Sequence, residues 1–306
     1  MSIRAILCTL LAVSVAWSHP NLKSRGGPQV YGACIKPNDI ALTFDDGPYN
    51  YIRNISDQFT AVGAKATFFM NGNNWDCIYA PDRIESVKYV YSKGHMIGSH
   101  TWSHPDLRTF TTPQIQDEMF RMEEAFSRIV GVLPAFMRPP SGYYNDNVKN
   151  IAFSRGQNLA LWDHDTGDAD GNTTAQSEAV YNAVVDSKAK NALILQHETK
   201  ASTAGTLVPY ALKLFKSKGY NVRFSFPNPV PTVLNNFFIK LVTMAECLGV
   251  DPYQAVGVAQ QQTSSWTCNG TPAPGEGCDS SIPCKTGKPD FIPALEHSGH
   301  VNITAE

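Results

Sequence analysis

Two adjacent carboxylates, Asp45 and Asp46, stand at the end of an apolar run, Ile40 to Phe44, and are followed at once by Gly47-Pro48. Such a run reads as a buried strand that the Gly-Pro pair stops. Successive strand side chains point to opposite faces, so regular geometry keeps the two acids apart; the Gly-Pro turn is the feature that could bend both into one pocket. Standing alone, Asp-Asp-Gly-Pro is more often a turn or a helix cap. Chemistry-bearing residues at the ends of other apolar runs argue for a site instead.

His100 and His104 close one of these runs, in His100-Thr-Trp-Ser-His104-Pro105. If the segment turns helical, residues four apart share a face, and that spacing suits two imidazoles on one divalent metal. Asp46 is the natural third ligand, with a position left for water or substrate. Asp45 is then free to act as general base: a cation such as zinc acidifies water, and Asp45 would take the proton as the oxygen attacks a carbonyl. Another run ends in Arg138-Pro139-Pro140-Ser141-Gly142. The prolines fix the backbone and remove donors, so amides from Ser141 onward could face a developing oxyanion, while Arg138 could pair with Asp45 and keep it ionised. A further run, Leu193-Ile-Leu-Gln-His197, ends on an imidazole. With Asp165 or Asp168 beside it, His197 would stay protonated and could donate to a leaving amine. His19, His95, His164, His297 and His300 lack such a context and read as structural or solvated, although His164 borders the site.

The elements that must position these residues follow a rhythm of short β-branched runs and longer amphipathic stretches. The expected strands are Ile40–Asp45, Ala66–Asn71, Met96–His100, Ala135–Pro139, Leu159–Asp163, Ala192–His197 and Asn221–Phe226. The expected helices are Tyr51–Val62, Arg83–Ser92, Thr112–Val130, Asn145–Ser154, Thr174–Ala189 and Val208–Ser217, with Thr112-Pro113 as cap and first turn. This α/β alternation predicts a parallel sheet, and closure into a barrel is the compact way to bury it; an open doubly wound sheet is the competing fold. No Gly-x-Gly-x-x-Gly follows the first strand, which removes support for a dinucleotide site. Asn236–Leu248 is expected to pack back as a last helix.

The 306-residue chain is 42% apolar and 17% charged, the composition of a soluble globular protein, and reads as one large domain with appendages. A formal charge of −2 gives no electrostatic case for nucleic acid or an anionic membrane. Residues 1–18 read as a secretory signal, with Arg4, an apolar stretch and small residues at Ala16 and Ser18. Residues 19–38 form an extended leader, 39–250 the catalytic domain, and 251–306 a loop-rich tail. No hydrophobic tail for a lipid anchor precedes Glu306. Of seven cysteines, Cys8 falls in the signal; Cys34 and Cys247 flank the domain and are expected to tie its ends, and two of the tail cysteines, Cys268, Cys278 and Cys284, to staple the tail. No Cys-x-x-Cys exists to support a cysteine zinc site. Sequons begin at Asn54, Asn172, Asn269 and Asn302.

On five ordered motifs, Thr43–Pro48, His100–Pro105, Arg138–Gly142, Trp162–Asp168 and Leu195–His197, the chain resembles the polysaccharide deacetylases, the family 4 carbohydrate esterases with a NodB homology domain, and among them the secreted fungal chitin deacetylases. The likeness covers roughly Asp39 to Phe226 and reaches towards Cys247. It implies a distorted (β/α) barrel. It also implies Asp45 as base, Asp46, His100 and His104 as metal ligands, Arg138 as partner of Asp45, the Ser141 amide as oxyanion donor, and His197 as acid tuned by Asp168. The implied metal is zinc, with cobalt or another divalent ion as alternatives. The implied reaction removes N-acetyl groups from chitin or chitooligosaccharides by a secreted monomer without membrane anchor. Peptidoglycan glycan and acetylated xylan are alternative substrates, and a non-catalytic carbohydrate-binding protein is the reading of a different class. The family often carries an aromatic residue where this chain has Ser141 and a tryptophan where it has Ala169; Trp102, Trp162, Tyr143 and Tyr144 are the stacking surfaces available instead.

Overall fold

The computed structural model describes residues 27–217 and 240–294. The secretory signal, the proposed strand Asn221–Phe226, the first part of the leader, and His19, His297, His300 and Asn302 lie outside these residues.

The strands are β1 (Val30–Tyr31), β2 (Asp39–Gly47), β3 (Thr67–Met70), β4 (Met96–Ser99), β5 (Val132–Pro134), β6 (Phe136–Met137), β7 (Asn158–Ala160), β8 (His164–Asp165), β9 (Ala192–His197), β10 (Lys240–Leu241) and β11 (Tyr253–Val256). The helices are α1 (Ile52–Ala61), α2 (Pro81–Ser92), α3 (Thr112–Val130), α4 (Asp146–Ser154), α5 (Thr174–Asp186), α6 (Val208–Ser217) and α7 (Met244–Leu248). A nine-stranded sheet runs in the order β1-β7-β6-β4-β3-β2-β9-β8, with β10 also on β2, and every pair in it is parallel.

Chain connectivity decides between barrel and open sheet. β7 and β8 are six steps apart in the strand order, which in a flat sheet at about 4.8 Å per step would separate them by roughly 29 Å. Only residues 161–163 join Ala160 to His164, a link that reaches at most about 15 Å at ~3.8 Å per Cα step. The sheet is therefore curled until its ends approach, a distorted barrel in which β1 and β8 are not hydrogen-bonded to each other. Alternate residues of β2 serve the two cores this creates. Leu42 and Phe44 pack outward on Ile52, Ile55 and Phe59 of α1, while Ala41 joins Phe69, Phe136 and Leu193 inside, where Met244 and Leu248 of α7 pack against them.

Several boundaries differ from those the sequence suggests. Leu159–Asp163 is not one strand; β7 ends at Ala160, the chain crosses, and β8 begins at His164. Ala135–Pro139 contributes only β6, because β5 just before it pairs antiparallel with β11 of the tail. The Asn236–Leu248 helix reduces, in its described part, to β10 and the short α7, whose start is set by a Thr243–Glu246 capping box. The cap of α3 is Thr111, one residue before the expected Thr112, because Thr111 and Gln114 form the box.

The tail is a cover for the domain. Among the described residues it bonds along α3: Gln260 N to Arg128 O, Lys285 N to Asp117 Oδ1, and Ser127 Oγ to Asp290 O. This explains why Asp117, Glu118, Arg121 and Glu123 are buried on a helix whose polar positions would otherwise be solvated. Cys34–Cys247 ties the domain ends and Cys278–Cys284 staples the tail, both as expected; Cys77–Cys268 joins the tail to the body.

Arg155 closes the end of α4 on this cover, bidentate to Glu123 at 2.9 and 2.6 Å and donating to the tail carbonyls of Thr286 and Gly287. Arg155→Met keeps the aliphatic stem but strands a buried carboxylate, so it should destabilise the protein by about 3–5 kcal/mol in reversible denaturant unfolding. A loss below ~1 kcal/mol, as for an exposed pair, would show that the tail does not keep Glu123 dry.

Candidate active site

Sheet register brings the strand tips together. Asp45 is directly paired with His197 across β2 and β9, so both side chains leave the same face. Beyond the strand ends the ladder continues, with Asn71 N on Gly47 O, His100 N on Met70 O and Arg138 N on Ser99 O.

Asp45 and Asp46 do share one pocket, and the bend that allows it lies at Asp46 itself rather than at the Gly-Pro. Asp46 adopts φ +75° and the β2–β3 register slips between Phe44 and Gly47, a bulge that turns one side chain back beside its neighbour. Gly47 is needed there for a close approach: a Cβ on it would lie 1.9 Å from Glu198 Oε1. The histidine pair also meets without the helix that its spacing suggests. Residues 100–104 form an irregular loop with Thr101 at φ +72° and His104 at φ +60°, and the two rings stand 4.9 Å apart. Asn71 holds this loop by donating to the carbonyls of His100 and Thr101, and Thr101 Oγ1 accepts from His104 N.

Asp46 Oδ1 lies 3.6 Å from His100 Nε2 and 3.3 Å from His104 Nε2, and one ligand atom from each of the three residues falls within 4.8 Å of the others. The donor set fits a divalent cation. Asp46 Oδ1 is buried without a hydrogen-bond partner, an atom that lacks only a ligand. His100 Nδ1 sits 2.8 Å from the carbonyl of Arg138, which can only accept, so the ring proton is there and Nε2 presents its lone pair. Burial, followed by the neighbouring His104, pushes His100 down to about 3, so its ring is neutral, the form in which an imidazole can take a cation.

Arg138 is fully buried and donates from Nη1 to Asp45 Oδ1 at 2.8 Å and to Thr43 Oγ1 at 2.8 Å, and from Nη2 to Leu161 O at 2.9 Å. Burial raises the pKa of Asp45, and Arg138 with His197 pulls it back towards the ionised form. His197 Nδ1 is 2.7 Å from Asp168 Oδ1, which settles the choice between Asp165 and Asp168; Asp165 instead caps Gly167 N. Burial alone would lower the pKa of His197, but the hydrogen bond and charge of Asp168 outweigh it and raise the imidazole to about 9. Of the first three amides after the prolines, those of Gly142 and Tyr143 donate to Pro139 O and Pro140 O, while that of Ser141, at φ +53°, has no acceptor among the described residues.

Among the stacking surfaces, Trp102 is excluded: it is 1% exposed, a core residue whose Nε1 donates to Thr271. Trp162 is half-buried against Gly142, and Tyr143 is exposed with Arg108 over its ring at 4.0 Å. Sequence reading missed Thr43, Asn71, Trp75 and Glu198. Thr43 was within reach, two residues before Asp45 on the same strand face. Glu198, pushed up to about 8 by burial and accepting from Tyr49 N, is an ionisable residue directly after a candidate acid. Trp75 Nε1, 3.4 Å from Asp46 Oδ2, comes from a loop with no pattern to announce it.

Comparison with known proteins agrees with this geometry. Residues 32–160 match the family described as polysaccharide deacetylase. The chain is 31% identical over 224 residues to a chitin deacetylase of Colletotrichum lindemuthianum, covering 72% of this chain and 83% of that protein. The solved structure of the chitin deacetylase from that fungus superposes with a TM-score of 0.64 at 30% identity, over 74% of this chain and 95% of the other. A chitin deacetylase of Pestalotiopsis sp is 37% identical over 189 residues, 61% of this chain and 62% of that protein. A peptidoglycan-N-acetylglucosamine deacetylase of Bacillus cereus is 33% identical over 162 residues, 53% of this chain and 56% of that protein. With the barrel, the paired acids and the two-histidine loop in place, these matches make the chain a member of the polysaccharide deacetylase family.

Proposed function

We propose that this protein is a secreted, monomeric, metal-dependent deacetylase that hydrolyses N-acetyl groups of N-acetylglucosamine polymers, with chitin or chitooligosaccharides as substrate and acetate as product. The observation that carries the reading is the convergence of an orphaned Asp46 oxygen, two imidazoles and a second acid held by a buried arginine. The names of the relatives given above support the substrate class, and the three disulfides support an oxidising, extracellular setting.

Asp46, His100 and His104 would hold the cation, zinc by their donor types, and when bound it supplies Lewis-acid polarisation and acidifies water. Asp45 keeps one oxygen on Arg138 and is oriented to take a proton from water as its oxygen attacks the acetyl carbonyl carbon. The free Ser141 amide can donate to the oxygen that gains negative charge. His197, protonated through Asp168, gives its Nε2 proton to the glucosamine nitrogen as the C–N bond breaks, which leaves acetate and a free amine.

Acetate release from chitin oligomers, acetylxylan and bacterial glycan, measured side by side with and without chelator, should be greatest on chitin oligomers and vanish with chelator; chelator-resistant release would overturn the metal reading. Asp46→Ala should lose the cation in elemental analysis, whereas Asp45→Asn should retain it and turn over roughly 10²–10⁴-fold more slowly. The reverse pattern would exchange the two roles.

The rate should also fall as pH rises through about 9, where His197 gives up its proton. Asp168→Asn should move that alkaline limb down towards the ordinary imidazole value of about 6.5. Because the folded-state pKa is raised, the Asp168 contact stabilises the fold fully below about 6.5 and loses its effect as pH climbs past about 9. An unmoved alkaline limb in Asp168→Asn would remove His197 as the acid.

A further inference from the structure

We infer that the C-terminal tail is a working part of the metal centre: residues 271–276, acting through Ser103 and the buried Glu118 of α3, hold the loop that carries His100 and His104 in its ligating conformation.

Ser103 is fully buried directly before His104, and it is the meeting point of three segments. Its carbonyl accepts from Gly275 N of the tail, and its Oγ lies 2.6 Å from Glu276 O. Its amide donates to Glu118 Oε2 at 2.8 Å, and its Oγ is 2.9 Å from Glu118 Oε1. On either side of it the tail holds the same loop and its neighbour. Thr271 Oγ1 accepts from Trp102 Nε1, Asn73 Nδ2 donates to Pro272 O, and Gly72 N and Asn73 N both donate to Trp102 O. The Cys77–Cys268 disulfide anchors the tail where this contact begins.

Counting protons fixes how the contact is wired. The Ser103 hydroxyl has one hydrogen and two oxygens within bonding distance, and Glu276 O, a carbonyl, can only accept. The hydroxyl proton therefore goes to Glu276 O, and the Glu118 Oε1 contact is complete only when that oxygen carries a proton and donates to Ser103 Oγ. Burial raises the Glu118 carboxyl to about 7, far enough above the ordinary carboxylate range for the protonated form that this geometry calls for to be populated near neutral pH. The result is a chain running from α3 through the histidine loop to the tail, in which each proton has one destination. The loop needs such support because Thr101 and His104 hold left-handed backbone that an unsupported segment would leave.

This inference rests on the metal reading proposed above, and the test separates the two. Wild-type full-length protein, Ser103→Ala, Glu118→Ala and Glu118→Gln would be titrated with zinc against a chromophoric chelator, and the visible spectrum of each cobalt-loaded protein recorded. Ser103→Ala and Glu118→Ala should bind zinc about 10–100-fold more weakly with an altered cobalt spectrum, the effect of losing an outer support of a ligand. Glu118→Gln should stay near wild type, because its amide supplies both the donor to Oγ and the acceptor for Ser103 N. Should a variant fail to fold, hydrogen exchange on the wild type decides: zinc should slow exchange at Gly275 N–H, since coupling between tail docking and metal binding is reciprocal. Unchanged affinity and spectrum in folded Ser103→Ala, a damaged Glu118→Gln, or exchange at Gly275 indifferent to zinc would each overturn the inference. Wild-type protein that binds no cation would overturn the metal reading as well.

Discussion

One buried guanidinium ties the site together. Arg138 leaves the end of β6 with no exposure to solvent and donates to three residues in two separate parts of the chain: Asp45 and Thr43 on β2, and the carbonyl of Leu161 in the crossing from β7 to β8. Its own carbonyl fixes the tautomer of His100. The same residue thus orients Asp45, fixes the ring of His100 and binds the short link whose length forces the barrel to curl. A buried ion pair contributes little net stability beside a well-packed apolar alternative. What it supplies here is a fixed geometry: any strand arrangement that separates β2, β6 and the β7–β8 crossing leaves a buried charge without its partners.

Around that anchor, strain collects where chemistry is expected. Asp46, Thr101, His104 and Ser141 all have positive φ, a conformation that costs a non-glycine residue on the order of 1–3 kcal/mol. Each is held by its neighbours: Asp46 by the bulge between β2 and β3, the histidine loop by Asn71 and Glu118, Ser141 by the two prolines before it. Straight strands with relaxed tips would point Asp45 and Asp46 to opposite faces and separate the two imidazoles. The rigid frame of parallel strands is what allows these tips to depart from regular geometry.

The supporting layers extend further from the centre than a catalytic domain of residues 39–250 would suggest. Buried acids on α3 are dry because the tail lies over them, and β11 of the tail pairs with β5, just before β6, in a separate two-stranded sheet. The Cys77–Cys268 bond and the Arg155–Glu123 pair each fasten segments far apart in sequence, and the short Leu161–Asp163 link draws together strands far apart in the sheet. These contacts join the outer parts of the chain to the strand tips, so the periphery and the site are one mechanical unit.

The chain's own order of residues was enough to place Asp45, Asp46, His100, His104, Arg138 and His197 at strand ends, because strand period, Gly-Pro stops and helix caps act over a few residues. It also marked Cys34 and Cys247 as the domain's two ends. Left-handed Asp46, the non-helical histidine loop, the choice of Asp168 over Asp165, the free Ser141 amide and the burial of Trp102 were decided only by tertiary structure. The histidine loop, the Asp168 contact and the burial of Trp102 depend on partners 29 to 169 positions away, and Asp46 on a bulge between two strands; no local pattern encodes which distant group will arrive. Local propensity sets where a side chain can stand; the packing of remote segments sets which way it faces and what it meets.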